Sequence, residues 1–142
     1  MKNKINVILV DDIKFSRKVI SFIINKNFGD KVNILDANNS NDVQSILNKN
    51  ITINGIISDI MMPNGDGLEL IHMLSGHNHK IPMIIVSSVN KKNIEKALNK
   101  AESSGVNILN AFKKPILAED IVISIESFMQ QEVNNQQVDY YV

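Results

Sequence analysis

The chain contains no cysteine, which excludes disulfides and thiolate metal sites and fits a reducing compartment. Nor does it carry an excess of charge, since fifteen Lys and Arg balance fifteen Asp and Glu. No global field therefore draws it to nucleic acid or to an anionic membrane. Lys91, Lys92, Lys96 and Lys100 give one segment a basic flank, but Glu95 and Glu102 lie among them. A solvated face is the expected reading there, rather than nucleic-acid contact. Long apolar runs are missing too. None approaches the ~18–20 residues needed to cross a bilayer. The run in MKNKINVILVDD is too short for a secretory core and ends in two aspartates. The expectation is a cytoplasmic protein with no membrane and no direct nucleic-acid partner.

What is present is the composition of an ordinary globular protein, 44% hydrophobic and 21% charged over 142 residues, which suits one domain. Short apolar runs alternate with amphipathic segments about five times. Residues 5–10 (INVILV) are a β-branched run of the kind buried on both faces of a sheet. Residues 14–28 place Phe15, Val19, Phe22 and Ile23 at helical spacing, which predicts that these face the core, with Gly29 closing the helix. A second strand is predicted at 32–36, then a helix capped by Ser40 with Val43, Ile46 and Leu47 inward. The third strand, 54–58, runs into Asp59; Pro63, Gly65 and Gly67 mark a loop, and Asp66 can cap helix 67–75. A fourth strand is read at 82–87, with Pro82 where no ladder donor is needed. Helix 91–103 has Ile94, Ala97, Leu98 and Ala101 inward, strand 107–112 leads to Lys114-Pro115, and a last helix covers 118–131. Residues 132–142 show no periodicity and are read as a C-terminal tail open to disorder, leaving 1–131 as the domain.

Five βα repeats imply an α/β fold of three layers, a five-stranded parallel sheet between helices. In such folds ligands bind at the carboxyl ends of the strands. Here the first strand ends in Asp11-Asp12, the third in Asp59, the fourth in Ser87-Ser88 and the fifth in Lys113-Lys114-Pro115. Three carboxylates at close range raise one another's pKa unless a cation neutralises them. An all-oxygen pocket suits a hard ion such as Mg²⁺. A carboxylate beside such an ion is a suitable nucleophile for phosphoryl transfer, with a lysine and a hydroxyl to neutralise the transferring oxygens.

The series VILVDD, SDIMMPNGDG, IPMIIVSS and FKKP, in this order, resembles the receiver domain of two-component response regulators, over residues 5 to about 130. The resemblance implies a flavodoxin-like, CheY-like fold with strand order 2-1-3-4-5. It implies phosphorylation of Asp59 by a histidine kinase or a histidine phosphotransfer protein, with Lys114 and Ser87 assisting. It further implies Mg²⁺ held by Asp12 directly, Asp11 mainly through water, Asp59 and the backbone carbonyl of Met61, and a cis bond from Lys114 to Pro115. Such a protein catalyses only its own phosphorylation and dephosphorylation.

Three departures from the family pattern bear on the output. Ala111 stands where many receivers carry an aromatic residue, and strand alternation turns the adjacent Phe112 toward the core. Ser88 follows Ser87 where a small residue leaves room for the phosphoryl group. Met61 and Val89, the positions that tune phosphoryl lifetime in the family, are both apolar and are expected to slow autodephosphorylation. Histidine phosphotransfer partners of receivers often dock on the first helix, where Ile20 and Ile24 form either a docking patch or a surface covered by the last helix. The chain is expected to be a stand-alone receiver, acting on a target protein, relaying the phosphoryl group onward in a phosphorelay, serving as a binding module, or forming a phosphorylation-dependent homodimer. Two rivals are disfavoured. A flavin carrier needs a Ser/Thr/Gly-rich phosphate loop, whereas DDIKFSR would repel a flavin phosphate. A haloacid-dehalogenase-type phosphatase needs a DxD motif that Asp11–Ile13 lacks.

Overall fold

The apolar runs become a single sheet. The computed structural model describes residues 4–60, 66–76, 80–87 and 91–141, with backbone alone at 66–68, 91–94, 97 and 135–141. Strands β1 (Ile5–Val10), β2 (Val32–Ala37), β3 (Gly55–Asp59), β4 (Met83–Ser87) and β5 (Ile108–Lys113) lie in the order β2-β1-β3-β4-β5. Every pairing is parallel. Helices α1 (Lys14–Phe28), α2 (Ser40–Leu47), α3 (Asp66–Ser75) and α4 (Lys91–Ser104) supply the crossovers, and α5 (Ala118–Tyr141) follows the last strand. This is the three-layer, flavodoxin-like fold expected.

The central strands β3 and β4 are buried at every residue, as strands covered on both faces must be. Side chains alternate between two cores. Ile8, Val10, Ile56, Met83 and Ile85 pack toward α2 and α3, with Ala101 of α4 joining them. Val7, Leu9, Ile57, Ile84 and Val86 pack toward α1 and α5, where Ile121, Ile125 and Phe128 complete the layer. The β4–β5 pairing shifts register after Met83, so that Ile84 pairs with Asn110. Ala111 and Phe112 then go to opposite sides: Ala111 packs on the α2–α3 core and Phe112, partly buried, on the α1–α5 core.

Several local expectations need correction. In α1 the buried residues are Arg17, Ile20 and Ile24, whereas Phe15, Val19 and Phe22 are 74%, 42% and 66% exposed. The helix is apolar on two stripes, and its contact with α5 selects the Ile20–Ile24 stripe, so these two isoleucines are covered. Helix α2 is capped by Asn39, whose side chain accepts the Asp42 N–H at 2.9 Å, with Ser40 already inside the helix. Val43, Ile46 and Leu47 do face inward. Gly29 closes α1 at φ 56, a left-handed conformation that suits glycine. In α4, Ala101 is buried while Leu98 sits at the exposed margin; Ile94 and Ala97 lie outside the described side chains.

The last helix continues to Tyr141 through the segment read as a tail. Glu132 accepts a hydrogen bond from the Asn54 side-chain amide at 3.0 Å, tying that continuation to the start of β3. Asn54 in turn accepts the Asn6 N–H at 2.7 Å.

Candidate functional site

Parallel strands deliver their ends to one edge, and the order β1-β3-β4-β5 sets Asp11, Asp59, Ser87 and Lys114 side by side there. Asp11 is buried just past β1, with its N–H bonded to the Ala37 carbonyl at 3.1 Å and its Oδ1 accepting the Ile13 N–H at 2.9 Å. Asp12 is exposed at the rim. Asp59, the last residue of β3, is 5% exposed. Lys114 follows β5, and its Nζ donates to Asp59 Oδ2 at 2.7 Å and lies 3.5 Å from Asp11 Oδ2. Ser87 is wholly buried at the end of β4, and its carbonyl accepts the Lys114 N–H at 2.7 Å. The Lys114–Pro115 peptide is cis.

The electrostatics follow from this packing. Burial pushes the Asp11 carboxyl up; the Ile13 N–H and Lys114 oppose the rise, while Asp59 and Asp12 add to it, and the net direction is upward. Burial alone would lower the Lys114 ammonium, but its hydrogen bond to Asp59 and the charges of Asp59 and Asp11 reverse this and hold it above its ordinary value. The Lys114 ammonium thus lies against the Asp59 and Asp11 carboxylates. Oxygen atoms of Asp11, Asp12 and Asp59 lie within 4.8 Å of one another, so these residues can hold a cation. Their all-oxygen donor set fits a hard divalent ion.

The sequence-predicted Asp11, Asp12, Asp59 and Lys114 thus come together, with Ser87 closing the neighbouring strand. Met61, Ser88 and Val89 lie outside the described residues. A cleft of about 440 Å³ opens beside the carboxylates, lined by Asp11, Asp59, Lys114, Phe15, Val19 and Ile116 among others. Sequence reasoning missed Arg17. It is 8% exposed, and its Nη1 donates to the Asp11 carbonyl. It shares the Ile20–Ile24 stripe at i, i+3 and i+7, a stripe that periodicity alone does not rank above Phe15–Val19–Phe22.

Comparison with known proteins agrees with this fold. Residues 7–126 match the family model described as the response regulator receiver domain. A protein-glutamate methylesterase/protein-glutamine glutaminase from Halalkalibacterium halodurans is 33% identical over 116 residues, which is 82% of this chain and 33% of that protein. A protein of the same description from Oceanobacillus iheyensis is 24% identical over 75% of the chain and 29% of its own length. The chain therefore spans about a third of the curated relatives it matches. Among solved structures, a response regulator from Colwellia psychrerythraea superposes with a TM-score of 0.70 at 26% identity, covering 92% of this chain and 99% of that one. The chemotaxis response regulator CheY4 of Vibrio cholerae gives 0.71 at 16% identity, covering 89% and 99%.

Proposed function

Since the chain belongs to the response regulator receiver domain family, we propose that it takes a phosphoryl group from a histidine kinase or histidine phosphotransfer protein onto Asp59 and signals through protein–protein contact. The observation that carries this reading is the buried Asp59 carboxylate held 2.7 Å from the Lys114 ammonium beside two further carboxylates. An Asp59 oxygen attacks the phosphorus of a phosphohistidine. An O–P bond forms as the N–P bond breaks, and the imidazole leaves with the electron pair. Lys114 neutralises a phosphoryl oxygen as charge moves toward Asp59, and the buried Ser87 hydroxyl is assigned a second one. Asp11, Asp12, Asp59 and the Met61 carbonyl are the proposed Mg²⁺ ligands, and the bound ion supplies further charge neutralisation at the phosphoryl group.

We assign the chain no turnover beyond its own phosphorylation and dephosphorylation; the methylesterase match extends over only 33% of that protein's length. No helix among the described residues is long and apolar enough to cross a membrane, which accords with action in the cytoplasm.

The exposed stripe Phe15–Val19–Phe22, on a helix with four basic residues and no acidic one, is the docking face this function requires. It replaces the Ile20–Ile24 patch. A donor helix with an apolar seam and acidic flanks suits it. Phe22→Asp is expected to slow transfer from a phosphorylated histidine phosphotransfer protein about tenfold, the scale of about 1.4 kcal/mol in binding. Its labelling by a small acyl phosphate should match wild type. Equal slowing with both donors would argue against docking at this face.

A further inference from the structure

Arg17 has no part in the chemistry proposed above, yet it is buried where an apolar residue would pack at no electrostatic cost. Its guanidinium donates to the backbone carbonyl of Asp11. Its Nε lies 3.4 Å from Asp36 Oδ1, within ion-pair range but not aligned for a hydrogen bond, and the Asp36 side chain is 61% exposed. Arg17 therefore spans from the end of β2 to the chain just past β1.

The Asp11 carbonyl belongs to the planar peptide that joins Asp11 to Asp12. The peptide on the other side of Asp11 is already held by β2, through its N–H to Ala37 at 3.1 Å. With Arg17 on the carbonyl, the backbone on both sides of Asp11 is anchored. Asp11 points inward and has its own partners, but Asp12 is exposed, so packing does not aim it. The peptide that carries it does. We infer that Arg17 is a positioning residue for the cation site: by holding the Asp11–Asp12 peptide it directs the Asp12 carboxylate toward Asp11 and Asp59. The inference rests on reading that cluster as a Mg²⁺ site.

The sign of the effect separates positioning from charge. A guanidinium near the site repels a divalent cation, so removing its charge alone would tighten Mg²⁺ binding. Loss of positioning weakens it. Outer-shell partners of metal ligands typically change metal affinity about 10- to 100-fold. Mg²⁺ affinity is measured by titration calorimetry on wild type, Arg17→Lys, Arg17→Met and Asp36→Asn, with thermal unfolding in chelator as the check on folding. Arg17→Lys keeps the charge and loses the planar fork; it is expected to bind Mg²⁺ about tenfold more weakly. Arg17→Met should also weaken binding despite the lost repulsion, and Asp36→Asn should weaken it less than either. Small-donor phosphorylation of Arg17→Lys should return toward the wild-type rate at saturating Mg²⁺. Wild-type affinity in Arg17→Lys, or tighter binding in Arg17→Met, overturns the inference. If Arg17→Met does not fold, Arg17→Lys decides alone. Absence of Mg²⁺ binding by wild type would instead remove the metal-site reading itself.

Discussion

Lys114→Met is expected to lose about 3 kcal/mol of stability at neutral pH in chelator, the lower end of the cost of removing one partner from a buried ion pair. The low end applies because the Lys114 side chain is 25% exposed, while Asp59 and Asp11 are nearly closed to solvent. Without the ammonium, the buried Asp11 carboxyl loses a counter-charge that opposes its protonation. The pH dependence has a definite sign. Asp11 has its folded pKa raised above the ordinary carboxylate value, so its contribution to stability is fully present below that ordinary value and is lost as pH rises through the folded one. Removing Lys114 raises it further, so acidification from neutrality should narrow the gap between variant and wild type. Lys114 is also raised; its contribution is full below its ordinary value and disappears as pH climbs through the folded one, so the gap should narrow there as well. Asp11→Asn in the Lys114→Met background should recover part of the loss. Thermal unfolding across pH measures all of this, and a deficit independent of pH would show that Lys114 acts by packing alone.

Gly55→Ala is expected to cost about as much, for a steric reason. A Cβ at Gly55 would stand 2.4–2.5 Å from three ring carbons of Phe128. That ring is fully buried where α5 crosses β3, and its neighbours Ile121, Ile125 and Ile57 leave it little room to withdraw. Overpacking a close-packed core costs about 1–3 kcal/mol, sometimes more, and the upper part of that range is expected here. For a domain of this size, about 3 kcal/mol lowers the Tm by roughly 10 °C. Phe128→Leu alone should also destabilise, by lost burial. The double variant should lose clearly less than the sum of the two, because the smaller side chain vacates the space the methyl needs. Additive losses would place the Gly55 effect elsewhere than under Phe128.

The parts legible from sequence were those where one physical signal dominates. Runs such as Ile5–Val10 and Met83–Ser87 are largely apolar because both faces of the sheet are covered, so the strands and their ends could be anticipated, whereas their order came from the family resemblance. With the ends placed, Asp11, Asp59 and Lys114 had to converge, and the 2.7 Å contact between Lys114 and Asp59 follows from that topology. Helix α1 was misread because two apolar stripes run along it. Periodicity ranks Phe15, Val19 and Phe22 as well as Ile20 and Ile24, and only the position of α5, with its Ile121, Ile125 and Phe128, decides between them. Arg17 was missed for a related reason: a charged residue in a helix reads as exposed until its backbone acceptor is known. The continuation of α5 carries no apolar periodicity past Glu132, and the hydrogen bond from Asn54 that engages Glu132 spans distant parts of the chain.

The most direct measurement is the intact mass of wild type and Asp59→Asn after incubation with a small acyl phosphate, with Mg²⁺ and with chelator. Phosphoryl transfer to Asp59 requires a single phosphoryl adduct on wild type in Mg²⁺, strongly reduced in chelator, and none on Asp59→Asn. No adduct on wild type, or an equal adduct on both proteins, would contradict it.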